Sequence, residues 1–141
     1  MKSRIAGFEN VVRTVGFETT FHDSEVLRLQ LERLSGKANL TISLLTRRSL
    51  WPAEKDASEP LHYIVQLKFR DIEDLELEGF NHQNVIAEMI QSFDKDRLTI
   101  RFAGLFGLDC SFSCKEGEVV SIEQTDMQLG APFSAGHSEH I

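Results

Sequence analysis

No stretch of this 141-residue chain stays apolar and uncharged for the roughly 20 residues that a bilayer-crossing helix needs. Met1 to Gly16 also lacks the continuous apolar core of a signal peptide. The expectation is a cytosolic protein with no membrane partner. Basic residues are in deficit: 15 Lys and Arg against 22 Asp and Glu leave a net charge of −7, which argues against a phosphate-binding face for DNA or RNA. Cysteine is scarce. Cys110 and Cys114 lie four apart on an alternating segment, a span of about 13 Å where a disulfide tolerates about 7 Å, so both are predicted to be free thiols beside Leu108 and Phe112. Reduced thiols agree with a cytosolic address.

Signatures of catalysis are missing too. No serine sits in a nucleophile elbow, and Ala103 to Asp109 (AGLFGLD) lacks the lysine and the following helix of a phosphate-binding loop. His22, His82, His137 and His140 invite a metal, but a terminus and scattered loop histidines do not supply the three or four fixed ligands that zinc requires. No metal site and no cofactor are implied. Carboxylates are abundant, yet no two stand out as an acid–base pair.

What is present is a mid-sized globular composition, 41% hydrophobic and 26% charged, which suits one folded domain over residues 1–129 with a mobile tail from Gly130 to Ile141. Ile5, Phe8, Val12 and Val15 form an amphipathic stripe, so Met1 to Gly16 reads as one short helix stopped by Gly16. The period then becomes two. Leu27, Leu29 and Leu31 alternate with polar residues, and beyond Ser35-Gly36-Lys37 so do Leu40, Ile42 and Leu44, which predicts a hairpin with its leucines inward. Arg47 to Pro60 holds two of the three prolines and has no period, so it reads as a long loop. Leu61 to Phe69 and the Leu75–Leu77 segment are two more strands. Val85 to Phe93 fits a helix or a strand, and the strand is preferred. Three further strands follow around Leu98–Phe102, Leu108–Cys114 and Val119–Gln124, punctuated by Gly104, Gly107 and Gly117. The fold class is therefore mainly β (α+β): an antiparallel β-sandwich or partly open barrel of seven to eight strands with one N-terminal helix, and a core rich in the ten phenylalanines.

Charge supplies the leading candidate surface. Asp71 to Asp94 carries seven acidic residues and no Lys or Arg. With Leu75 and Leu77 inward, Asp74, Glu76 and Glu78 project together as a row of carboxylates. Such a row serves as a solvated, aggregation-resistant strand face, or as a docking surface for a basic partner. Trp51 with Arg47 and Arg48 is the second candidate, since Trp and Arg are enriched at binding hot spots; otherwise the tryptophan caps the core and both arginines face water.

Three segments carry a family resemblance: Phe21 to Arg33 (FHDSEVLRLQLER), Asp74 to Ile86 (DLELEGFNHQNVI) and Gly107 to Glu123 (GLDCSFSCKEGEVVSIE). Their order and spacing resemble the immunity protein 50 family of bacterial polymorphic toxin systems over Phe21 to Glu123, most distinctively around Gly79-Phe80-Asn81 and Gly107-Leu108-Asp109. The N-terminal helix and the tail lie outside this resemblance. It implies a mostly β protein that neutralises a cognate toxin by stoichiometric binding, with no catalytic residues to carry over. A basic toxin surface, such as a nuclease cleft, would suit the acidic row. Two other classes compete: a small-molecule-binding barrel, which needs an open apolar cavity, and a metal-assisted hydrolase using His22, His82 and a carboxylate. Exposed sheet edges also leave symmetric self-association open.

Overall fold

The computed structural model describes residues 3–16, 20–48 and 61–127. Trp51, the loop containing Pro52 and Pro60, and the segment from 130 onward with His137 and His140 lie outside the described residues. Ten elements follow in order: β1 (Ile5–Ala6), α1 (Phe8–Val15), β2 (Glu25–Leu34), β3 (Lys37–Arg47), β4 (His62–Arg70), β5 (Glu73–Glu78), β6 (Val85–Asp94), β7 (Arg97–Phe106), β8 (Asp109–Cys114) and β9 (Glu116–Gln124). The segment from Val85 is a strand, as the β reading has it.

The nine strands form one open mixed sheet in the order β1-β9-β4-β3-β2-β6-β7-β8-β5. All neighbours run antiparallel except β1, which lies parallel to β9. That short strand is the ninth, one more than the periodicity indicates. Two residues are too few to show a period, and Ile5 therefore counted in the helical stripe; the helix itself begins only at Phe8. It ends at Gly16 in extended rather than left-handed backbone (φ 160°).

Local pairing explains most of the sheet. Ser35 and Gly36 both have positive φ, the geometry of the two-residue turn that matches strand twist, and the β2–β3 ladder starts directly beside them. Between β2 and β6 only Glu25 and Val85 are in register. The contact is extended by the lead-in to β2: the Asp23 amide donates to Ile86 O, the Ile86 amide to Ser24 O and the Met89 amide to Thr20 O, at 2.7–3.0 Å. Beyond this seam the two strands part, and the sheet doubles over.

Doubling brings β4 against β7 and β8. The Phe69 ring meets Phe112 edge-on at 5.1 Å and Phe102 at 6.3 Å between centroids, and all three are buried. Edge-to-face rings add about 0.5–1.5 kcal/mol per pair beyond the area they bury. Gly117 permits the arrangement, because a Cβ there would press on the Phe69 ring at 2.8 Å. Phe8, Val11 and Val15 of α1 join the same core, with Phe8 edge-on to Phe21. Residues preceding the helix tie the layers together: Ile5 pairs with Gly117 of β9, the Ser3 hydroxyl donates to Gln91 of β6, and the Arg4 guanidinium lies 3.9 Å from the centroid of the Phe93 ring.

Three expectations need correction. Leu31 lies opposite buried Leu40 on the inner face, yet it is half exposed, as is Leu34, because β6 begins opposite the first residue of β2 and runs away from it, so the rest of β2 extends past the seam. Gly104 and Gly117 sit within β7 and β9, and only Gly107 lies at a turn between strands. The phenylalanines are not all core: Phe8, Phe21, Phe69, Phe102 and Phe112 are buried, while Phe80, Phe93 and Phe106 are exposed.

Candidate functional site

Strand β5 closes the sheet order and pairs with β8 alone. Its first residue is pinned: Arg97 approaches the Glu73 carboxylate at 3.8 Å and the Asp71 carboxylate at 4.0 Å, and donates to the Asp71 carbonyl at 2.5 Å. Register then slips by one residue, from Glu73 opposite Ser113 to Glu76 opposite Ser111. The slip is a bulge at Asp74 and Leu75, and Asp74 takes the left-handed conformation (φ 57°) that aspartate tolerates better than most residues. The expected row is thereby altered. Glu76 and Glu78 share the outer face with Ser111 and Asp109, whereas Asp74 is exposed at the bulge, out of step with them. Leu77 lies opposite buried Cys110 but remains partly exposed at the rim, and Leu75 packs half-buried against the core.

A depression of about 410 Å³ lies here, where Glu76, Glu78, Asp109 and Ser111 meet Leu75 and Leu77. Asp109 is held from behind: its carboxylate accepts from the Gly104 amide at 3.1 Å and from Arg101 at 3.3 Å. Partial burial works to raise the Asp109 pKa, but the amide and the guanidinium together outweigh it and keep the pKa below the ordinary value. Glu76 and Glu78 form no salt bridge among the described residues. Two uncompensated carboxylates therefore face outward next to one that is already neutralised.

The adjoining corner holds the two segments most distinctive of the family resemblance, which the sequence did not mark as a contact or as a surface. Gly79 and Gly107 meet backbone to backbone: a Cβ on Gly79 would overlap the Gly107 carbonyl oxygen, and one on Gly107 would overlap the Gln83 carbonyl and the Asn84 side chain. The buried Asn84 amide fastens the loop, accepting from the Asn81 amide and donating to the Asn81 carbonyl, both at 2.8 Å. Two segments distant in sequence, Gly79-Phe80-Asn81 and Gly107-Leu108-Asp109, are thus in contact, and Phe80, Leu105 and Phe106 are exposed beside them. The available signal was position: these apolar residues adjoin turn glycines, where strand alternation no longer directs side chains to the core.

The second expected element is divided. Arg47 is exposed at the end of β3, opposite His62, whose pKa is lowered by burial and then by the Arg47 charge. Arg48 is buried, contrary to the expectation that both arginines face water, and its amide donates to the Leu61 carbonyl at 2.6 Å. Strands β3 and β5 share no pairing, so Arg47 and the acidic residues belong to different parts of the sheet order.

The residues of the rival readings are engaged locally. His22 Nδ1 donates to the Ala87 carbonyl at 2.7 Å, and His82 Nδ1 to Asn81 Oδ1 at 2.8 Å. Among the described residues no group of three or more His, Cys, Asp and Glu is placed to hold a metal ion. Cys110 and Cys114 are buried free thiols. Burial, with a smaller push from Asp109, raises Cys110 to about 12; burial, opposed by Arg97 and aided by Glu116, raises Cys114 to about 11. A small-molecule barrel would need space where the Phe69, Phe102 and Phe112 rings meet. No described helix is long and apolar enough to cross a membrane.

The family model described as Immunity protein 50 matches residues 7–125, a span that includes α1 as well as the segments from Phe21 to Glu123 that resemble the family. No curated protein and no solved structure matches the chain.

Proposed function

Since the chain belongs to the immunity protein 50 family, we propose that it protects the cell that makes it by binding a cognate protein toxin one to one in the cytoplasm, without catalysing a reaction. The observation that carries this reading is the outward pair Glu76 and Glu78 on the terminal strand β5, uncompensated among the described residues. A surface of this kind attracts a basic protein face. On a chain of net charge −7 the same field speeds encounter and disfavours acidic partners.

Inhibition here means coverage of the toxin's working surface, with Glu76, Glu78 and the neighbouring Asp74 set against its cations. Where that surface is a nucleic-acid cleft, the carboxylates take the positions of phosphates. Arg47, together with Trp51 outside the described residues, is assigned as an accessory contact; burial of Arg48 supports leaving it out.

The test is co-expression with the product of the neighbouring gene, with growth and co-purification as readouts. Rescue of growth and recovery of a one-to-one complex support the reading. Growth arrest with no complex contradicts it. Full protection by the Asp74→Lys, Glu76→Lys, Glu78→Lys variant contradicts the role given to the carboxylates while leaving the protective function in place.

A further inference from the structure

We propose that the corner carrying Leu77, Phe80, Leu105 and Phe106 is the apolar centre of the docking surface, and that its occupant is a basic protein face presenting an apolar side chain. This rests on the proposed function and adds the source of the affinity. The four side chains are 38%, 50%, 54% and 61% exposed. They lie on β5, on the loop that follows it and at the end of β7, which the Gly79–Gly107 contact joins. Phe80 and Phe106 each adjoin one of the two touching glycines, and exposed apolar residues brought together at one corner mark an interaction site as isolated exposed leucines do not.

The corner is also rigid. Asn84, buried and doubly bonded to Asn81, fixes the loop bearing Phe80, and the Gly104 amide and Arg101 both bond Asp109 across the β7–β8 turn. Rings carried on a fixed backbone lose less entropy on binding than rings on a mobile loop, which favours their use as aromatic anchors. The exposed Phe93 differs, because the Arg4 guanidinium already covers one face of its ring.

Charge decides the occupant. Glu76 and Glu78 stand on either side of Leu77 along β5, on its outer face, and lead directly into the loop bearing Phe80, and Asp109 opposite Glu78 is already paired with Arg101, so this margin is acidic. A second copy of this chain docking by a two-fold contact would bring both sets of glutamates together, a like-charge arrangement that disfavours the pairing. A basic rim around an apolar knob complements the corner in both respects, with a dry centre and a polar margin.

The test measures affinity for the purified product of the neighbouring gene. The variants are Phe80→Ser with Phe106→Ser, Glu76→Lys with Glu78→Lys, and, as a control elsewhere, Leu31→Ser with Leu34→Ser. The substituted side chains are exposed, so thermal unfolding should stay near wild type in all three. The phenylalanine pair should weaken binding by about a hundredfold or more, mainly through faster dissociation. The glutamate pair should chiefly slow association, and the control should remain within about threefold. Wild-type affinity in the folded phenylalanine variant overturns the proposal. So does a wild-type dimer that this variant converts to monomer, which would make the corner a self-interface. If the wild-type chain itself fails to bind, the proposed function has failed and the corner loses its assigned occupant with it.

Discussion

Replacing Asn84 with alanine tests whether one side chain holds the corner together. The residue is 3% exposed, and its amide makes two hydrogen bonds of 2.8 Å to the Asn81 backbone. Alanine removes both and leaves the Asn84 carbonyl free to keep its bond from the Val26 amide at 2.7 Å. At about 0.5–1.5 kcal/mol net per bond the loss is ~1–3 kcal/mol, and a central value of ~2 kcal/mol is reasonable because part-buried Asn81 can recover a bond to water. For a chain of this size that lowers Tm by roughly 6 °C. Urea unfolding followed by far-UV circular dichroism measures the global cost. Hydrogen exchange resolves where it falls: amides from Gly79 to Asn84 should exchange faster, while those of β3 and β4 should speed up only in proportion to the global loss of stability. A cost below about 0.5 kcal/mol with unchanged exchange in the loop would refute this, since the backbone contact at Gly79 and Gly107 would then hold the corner alone.

Phe112→Ala removes the ring that touches Phe69 at 5.1 Å and Phe102 at 6.5 Å, and should cost about 3–5 kcal/mol in urea unfolding; a cost under about 1.5 kcal/mol would deny the doubled-sheet core. With pKa values raised to about 12 and about 11, Cys110 and Cys114 should react with a disulfide reagent at neutral pH only as fast as the chain opens, so rapid labelling of folded protein would contradict their burial. Asp109→Asn probes the carboxylate held by Gly104 and Arg101. Because the folded-state pKa is depressed, the wild-type advantage is present in full above the unfolded-state value and is lost as pH falls through the folded-state value. Urea midpoints of the two proteins should therefore differ at neutral pH and converge in acid; a gap that widens in acid would reverse the sign.

Much of this architecture is legible because hairpins are local. Strand β8, β4 from Ile64 onward and β7 from Leu98 to Phe102 alternate in burial as their sequences do, and Ser35-Gly36 supplies the turn chemistry that fixes the first register. Alternation names a face but not what covers it. Leu31 is on the inner face of β2 and stays half exposed because β2 meets β6 only at Glu25 and extends past it, a long-range register that alternation does not encode. The pairing of Ile5 with Gly117 joins the two ends of the described chain, and no local pattern encodes it. At the site, the acidic composition of β5 was visible, but the bulge that removes Asp74 from the row was not, since a left-handed aspartate leaves no trace in a periodic pattern. Phe80 and Phe106 were counted with the core phenylalanines; the composition is the same, and only the contact between Gly79 and Gly107 separates them.

Hydrogen-exchange footprinting of the complex with the neighbouring gene's product tests the central claim most directly. Protection on binding should fall on β5, on residues 79–84 and on the β7–β8 turn, with the overhanging β2–β3 hairpin unchanged. Protection confined to that hairpin or to α1, in a complex that still forms one to one, would contradict it.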